Sequence, residues 1–314
     1  MREFSEAEVA ERLPMSLALQ AVEDAMQALA AGRGVNRPRR RLFLPGPVRA
    51  GAAALHAMEG AVCRGGRWYL GYKIYTTGSS GAHFTVGLFD AADGQPLARF
   101  AADRLGQLRT GAATGVATRL LSAAGAAEAA IIGAGWQAES QLEAIAAVRP
   151  IRRARVYSPT ASRRERFAAE MSQRLGIAVS PASSSSAALA GAPIVVTATT
   201  ARAPVIADAD LSPGAHINAI GSNAPGRQEL EAATVRRAAR LVVDSRQQCQ
   251  QEAGDLLAAF APPYAAGWDQ VEELAPALAM GPRPRDPAVL TIFKSTGLAI
   301  WDVACAAAIW EQQG

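Results

Sequence analysis

Cysteine and histidine are both scarce in this sequence, with three of each in 314 residues. Cys63, Cys249 and Cys305 are odd in number, far apart and never in a CxxC pair. That argues against a disulfide framework and points to a reducing cytoplasm. The histidines are scattered too, so no zinc-ligand spacing arises and no metal is expected. The net charge is small, 32 basic against 28 acidic residues, too mild to imply a nucleic-acid or membrane partner. No apolar run is long enough to span a bilayer. The opening MREFSEAEVAERL is too acidic for a signal peptide, so a soluble protein is expected. What is plentiful is apolar side chain: 50% of residues are hydrophobic and 19% charged, the composition of a globular enzyme-sized core. The length suggests two compact units.

The first third reads as α+β. Ser5 and Glu8 have capping-box spacing ahead of a short helix. A second helix is expected over SLALQAVEDAMQALAAG, with Leu17, Val22, Met26 and Leu29 near one face and Gly32 as its stop. The basic stretch from Arg37 through Arg39, Arg40 and Arg41 to Pro45 is extended. WYLGYKIYTT (68–77) is rich in aromatic and β-branched residues and reads as a strand. HFTVGLFDAADGQPLARFAA reads as a hairpin turning at Asp93-Gly94. His56 and Glu59, in LHAMEGAV, are expected on an exposed loop.

From about residue 110 the texture changes. An alanine-rich helix ends at Gly125, and strand candidates follow at 129–132, 153–157, 193–199, 216–221 and 240–244. Helical stretches separate the first of them, one of them beginning near Ser183–Ser186. This βαβ rhythm implies a parallel, doubly wound sheet. The proline-rich GPRPRDP, a strand-like AVLTIF and a last helix, GLAIWDVACAAAIWEQQ, close the chain. That helix is expected to pack back on the first unit, giving domains of 1–115 with 296–314, and 116–295.

Within EAAIIGAGWQA the turn Gly133-Ala134-Gly135 follows an apolar strand and opens a helix. One glycine allows the tight turn and the other lets backbone approach a pyrophosphate, toward which the helix directs its free N–H groups. Ala138 stands where the fingerprint needs only a small side chain. At the end of the second strand, RARVYSPTASRRERFA has no carboxylate to hold the ribose hydroxyls of NAD. Ser158, Thr160, Arg163 and Arg164 stand there instead, which suits the 2′-phosphate of NADP, with NAD as the alternative. In the first unit, strand alternation places Tyr69, Gly71, Lys73 and Tyr75 on one face. Lys73 either snorkels to solvent or meets an anionic partner. Arg109, just before Thr110, either clamps a carboxylate or makes a structural salt bridge.

GYK around Lys73, LRTGAATG, GAGWQA, INAIGSNAPGRQEL and TIFKSTGLAIWD occur in this order, from about residue 37 to 305. Together they resemble the ornithine cyclodeaminase/μ-crystallin family. The resemblance implies a Rossmann dinucleotide-binding domain. It also implies an α+β substrate and dimerisation domain built from the N-terminal part and the C-terminal helix, in a homodimer. It further implies that Arg41, with Arg40 fitting almost as well, binds the carboxylate of a small amino or imino acid together with Lys73 and Arg109. Thr110, Trp136 and Gln137 would line the cofactor phosphates, and Ser158 would stand at the adenosine ribose. Thr197 would lie beside the cofactor, and Gly221, Ser222, Lys294 and Ser295 would close over the nicotinamide side.

One departure matters. Cyclodeaminases of this family resemble one another in having an aspartate as proton-transfer group where this chain has Asn223, and an amide cannot exchange a proton near neutral pH. His56 and Glu59 are candidates to take over that role. Three functions follow: an imino-acid reductase or amino-acid dehydrogenase, with Lys73 and Arg109 catalytic and Arg41 and Asn223 on the substrate; an ornithine cyclodeaminase using bound NAD; or a dinucleotide binder without catalysis.

Overall fold

The computed structural model describes residues 1–44, 53–79, 81–283 and 286–313. Pro45 of the basic stretch, Ser80 of the TTGSSGAHF loop and Pro284-Arg285 of GPRPRDP lie outside the described residues. The chain divides into two compact units, Met1–Thr110 with Gly297–Gly314, and Gly111–Thr296. The boundaries expected above were 115/116 and 295/296.

The first unit is built on an antiparallel sheet. Its strands are β1 (Arg2–Phe4), β2 (Gly34–Asn36), β3 (Arg40–Leu42), β4 (Ala54–Arg64), β5 (Arg67–Gly78), β6 (Gly81–Asp90) and β7 (Pro96–Ala101). They run in the order β1-β7-β6-β5-β4-β2 with β3 also on β4, and only the β1–β7 pair is parallel. Helix α1 (Glu6–Arg12) starts with the Ser5/Glu8 capping box. Helix α2 (Met15–Ala30) buries Leu19, Val22 and Met26, while Leu17 and Leu29 are only half-buried.

The C-terminal helix (Ala299–Trp310) is buried along almost its whole length, and it lies on the sheet. A Cβ on Gly60 would stand 2.9 Å from Ile300 N, and one on Gly71 would stand 2.8 Å from Val303 Cγ2. Only glycine lets the two backbones come this close. LHAMEGAV is therefore no loop but part of the long strand β4. Its inward positions carry Ala54, His56, Met58 and Gly60, with Met58 the one large apolar residue and Gly60 required by the helix above it, so the usual alternation of large apolar residues is missing.

The second unit is a parallel sheet of β8 (Glu128–Ile132), β9 (Arg153–Tyr157), β10 (Ala178–Pro181), β11 (Ile194–Thr197), β12 (His216–Ala219), β13 (Arg240–Val243), β14 (Glu272–Glu273) and β15 (Thr291–Lys294). The order is β10-β9-β8-β11-β12-β15-β13-β14. The central strands β11, β12 and β15 are buried throughout, as a sheet covered on both faces requires. Helix α3 (Asp103–Leu121) enters this unit from the first. Helices α4 (Trp136–Val148), α5 (Ala161–Leu175) and α6 (Ser185–Leu189, capped by Ser184) join the strands around β8 to β11. The chain order reverses at β8, with β9 and β10 on one side and β11 and β12 on the other. Such a switch point leaves a crevice at the carboxyl ends of the strands. No helix among the described residues is long and apolar enough to cross a membrane.

Arg149, just after α4, closes the end of α3. Its Nε donates to Ser122 Oγ at 2.9 Å, and its Nη2 donates to the carbonyls of Arg119 at 2.7 Å and Thr118 at 3.1 Å. Last-turn carbonyls of a buried helix need such donors. Arg149→Met is expected to lower unfolding stability by about 2 kcal/mol, the scale of a charge-assisted hydrogen bond, read from urea denaturation.

Candidate active site

In the first unit β5 places Tyr69, Lys73 and Tyr75 on its buried face, as alternation requires. Lys73 Nζ lies 3.0 Å from Asp302 Oδ1, and the Nε of Arg109 lies 3.1 Å from the same oxygen. Lys73 is 3% exposed, Arg109 6% and Asp302 0%. Arg109 is aimed by α3, whose first amides, Asp103 N and Arg104 N, donate to the Glu6 carboxylate. Two glycines make room for the cations: a Cβ on Gly106 would stand 2.8 Å from Lys73 Nζ, and one on Gly297 would stand 2.7 Å from Arg109 Nη1. Arg109 Nη1 and Asp302 Oδ2 are buried without a hydrogen-bond partner. An orphaned guanidinium nitrogen in such a place fits a carboxylate ligand.

Burial draws the Lys73 ammonium down to about 8, against the pull of the Asp302 carboxylate; Arg109 and Arg39 lower it further. Beside the lysine runs an aromatic row across three strands. His56 stacks on Tyr75 with ring centroids 4.3 Å apart, Tyr75 lies against Phe84 at 4.7 Å, and Lys73 Nζ stands 4.8 Å from the Phe84 ring centre. His56 is buried and is held down at about 4 by that burial, then by Arg41 and Arg39. It is therefore neutral near pH 7 and is no proton donor there.

The structure sorts the arginine cluster differently from the expectation. Arg39 is the buried member, 6% exposed, and it bears electrostatically on both Lys73 and His56. Arg41 is half-buried opposite His56 in the β3–β4 register. Arg40 points to the other face and pairs with Glu59 at the surface. Alternation puts residues 39 and 41 on one face and 40 on the other. Asp302, which the sequence does not single out, is the carboxylate that pairs with both cations.

In the second unit Gly133 follows β8 with φ +112°, and a Cβ there would stand 2.4 Å from Ala198 O. Both facts exclude any other residue. Gly135 is the N-cap of α4, no side chain caps that helix, and a Cβ at Gly135 would meet nothing. The first turn of a 13-residue helix thus starts at the switch point without a side-chain cap and with room beside Gly135. That cradle fits a dinucleotide pyrophosphate. Ala138 is buried, Trp136 is exposed, and Gln137 is half-buried with Oε1 lacking a partner.

At the end of β9 stands buried Ser158, whose carbonyl accepts from Arg164 Nη1 at 2.9 Å. Thr160 is the N-cap of α5 without a capping hydrogen bond, and Arg163 is exposed on its first turn. Thr197, ending β11, is buried with its hydroxyl unpartnered. Thr110, in the first unit, donates its hydroxyl to Gly106 O at 2.7 Å.

The remaining predicted residues serve a buried brace. Lys294 is 0% exposed and pairs with Asp255 at 2.9 Å; burial alone would lower this ammonium, but Asp255 and Glu229 lift it. Ser295 donates to Asp244 Oδ2 at 2.8 Å and Ser222 to Arg227 O at 2.9 Å. Glu229 accepts from Thr199 N and Gly221 N, tying the loops after β11 and β12, and a Cβ on Gly221 would collide with Thr199 and Glu229. These side chains are thus committed to the protein itself. Asn223 is half-buried on the loop after β12. The described residues hold no cluster that could bind a metal.

A doubly wound unit with a glycine turn at its switch point, and a unit with a buried lysine–arginine–aspartate cluster, define a two-unit dinucleotide-type protein. The family model described as ornithine cyclodeaminase/mu-crystallin matches residues 4–313. A Δ1-pyrroline-2-carboxylate reductase of Bacillus cereus is 33% identical over 251 residues, 77% of each chain. The ketimine reductase mu-crystallin of Mus musculus is 32% identical over 227 residues, 72% of this chain and 68% of that one. A solved structure of Thermococcus litoralis Δ1-pyrroline-2-carboxylate reductase with NADH and L-proline is similar at a TM-score of 0.90 and 30% identity, covering 99% of this chain and 97% of that chain. The chain belongs to the ornithine cyclodeaminase/mu-crystallin family.

Gly106→Ala tests the pocket. The added methyl displaces only the flexible end of Lys73, so the thermal midpoint should stay within a few degrees. Affinity for a small planar carboxylate such as pyrrole-2-carboxylate should fall by about tenfold, the effect of an ångström-scale misplacement, as read by calorimetric titration.

Proposed function

We propose that this chain is an imino-acid reductase, moving a hydride between a nicotinamide dinucleotide and the Cα–N bond of an amino or imino acid. The observation that carries this is Arg109, held at Nε by Asp302 and orphaned at Nη1 beside a buried lysine. A guanidinium so placed takes a carboxylate and fixes the attached Cα. Fixing orientation supplies much of the rate in hydride transfer. The nicotinamide ring supplies or accepts the hydride when bound. Lys73 provides the proton that the imine nitrogen gains, and recovers it from solvent. The His56–Tyr75–Phe84 row covers one side of the lysine and limits the access of water.

The names of the relatives favour a cyclic ketimine carboxylate as substrate. We read the dinucleotide as NADP(H), because Ser158, Thr160, Arg163 and Arg164 gather at the end of β9 where NAD would want a carboxylate. The Thermococcus litoralis relative holds NADH, which makes NADH the comparison to run. A homodimer in a reducing cytoplasm completes the reading, with the three cysteines free.

The test is cofactor oxidation by the purified protein with Δ1-pyrroline-2-carboxylate and Δ1-piperideine-2-carboxylate, with NADPH and NADH in parallel. Turnover favouring NADPH is expected. Silence with both cofactors, together with ammonia release from ornithine, would replace the reductase by a cyclodeaminase.

Lys73→Met should cost roughly 10²- to 10⁴-fold in turnover, the range of general acid catalysis. In the wild type the ammonium is the active form, so reduction should hold below about pH 8 and fall as pH rises through it. A rate still flat at pH 9.5 would remove Lys73 as proton source.

A further inference from the structure

Asp302 is the sole charged residue of the C-terminal helix, AIWDVACAAAIW, and is fully buried. One of its oxygens meets both Lys73 Nζ at 3.0 Å and Arg109 Nε at 3.1 Å, while the other has no partner. A salt bridge that served only stability would use both oxygens, because an unsatisfied buried carboxylate oxygen is costly. Sharing one oxygen keeps the two cations side by side, and therefore side by side toward a substrate carboxylate and its neighbouring nitrogen. Asn223 cannot exchange a proton, and His56 is neutral, so neither supplies what Lys73 does.

We propose that Asp302 is the positioning residue of this site: through one shared oxygen it holds the Lys73 ammonium in place beside Arg109, making Lys73 the proton source in a chain whose position 223 is an amide. The inference rests on the reductase reading above. The proton passes from Lys73 Nζ to the imine nitrogen as the hydride reaches Cα. The resulting neutral amine stays hydrogen-bonded near Asp302 until solvent returns the proton.

The charged groups facing Lys73 are Asp302 from the C-terminal helix, Arg109 from α3 and Arg39 ahead of β3. Cys305, on the same helix as Asp302, is pushed up to about 12 chiefly by burial, then by Asp302, so its thiol stays neutral. His56 on β4 is neutral as well. Among the described residues Asp302 is therefore the one facing group that favours the charged lysine, while both arginines oppose it.

The experiment titrates pyrrole-2-carboxylate calorimetrically into the full chain with saturating NADP⁺, from pH 6 to pH 9.5, for wild type, Asp302→Asn and Lys73→Met. Wild-type affinity should fall as pH rises through about 8. Loss of the carboxylate should move that fall down by about one unit or more, and Lys73→Met should abolish it. A purely structural role would weaken binding equally at every pH with the midpoint unmoved, and that result would overturn the inference. Wild-type protein that binds no planar carboxylate at any pH would overturn the reductase reading, and the inference with it.

If Asp302→Asn alone does not fold, the double variant with Lys73→Met removes a cation along with its counter-charge and should regain a cooperative unfolding transition. No recovery would count against the assignment.

Discussion

One buried carboxylate organises the first unit. Asp302 sits in the first turn of an apolar helix and holds two cations, one from β5 and one from α3. Taking three charges out of water is expensive, and an ion pair in a protein interior seldom repays its desolvation. The arrangement is therefore poor evidence for stability and good evidence for a site. The rest of the unit is shaped to permit it. Gly60 and Gly71 let the C-terminal helix lie against β4 and β5, and Gly106 and Gly297 clear the space that the two cationic side chains fill. Arg39 adds a further positive charge nearby, so the cluster carries three cations against one carboxylate and is biased toward an anion.

The second unit meets a different constraint. Its strands are parallel and its central ones buried on both faces, so the polar groups at their ends must be satisfied internally. Glu229, Asp244, Asp255 and Lys294 do this, each buried and hydrogen-bonded or ion-paired to a neighbouring loop or strand end. Burial raises the Glu229 carboxyl, with Lys294 pulling against it. The brace fixes the loops after β11 and β12 at the carboxyl ends of the strands, where the crevice of a doubly wound sheet lies. The glycine turn at β8 stays uncapped and open.

Much of this was legible in the residues themselves. The change of texture near residue 110 separates the units, and the strand candidates from 129 to 244 all formed. Alternation in WYLGYKIYTT put Lys73 on one face with Tyr69 and Tyr75 but left solvent and an anionic partner both open, and the structure buries it against Asp302. The parts that escaped did so for physical reasons. β4 carries Ala54, His56, Met58 and Gly60 inward, where His56 stacks on Tyr75 and Gly60 meets a helix backbone, which erases the pattern that marks a strand. Three consecutive arginines in an extended segment leave the register ambiguous by one residue, and the buried one proved to be Arg39. Asp302 meets Lys73 across 229 residues of sequence, and nothing local in an apolar helix announces a partner so distant. Lys294 reads as a strand-end lysine available to a ligand, yet β12 and β13 flank its strand and Asp255 takes its charge.

The central claim is that the Asp302-tethered pair receives a carboxylate. Its most direct measurement is a crystal structure of the protein with NADP⁺ and pyrrole-2-carboxylate. The account predicts the ligand carboxylate on Arg109 Nη1, with the ring nitrogen toward Lys73 and both cations still on Asp302. A ligand bound away from Arg109, or a carboxylate that displaces Asp302 from Lys73, would contradict it.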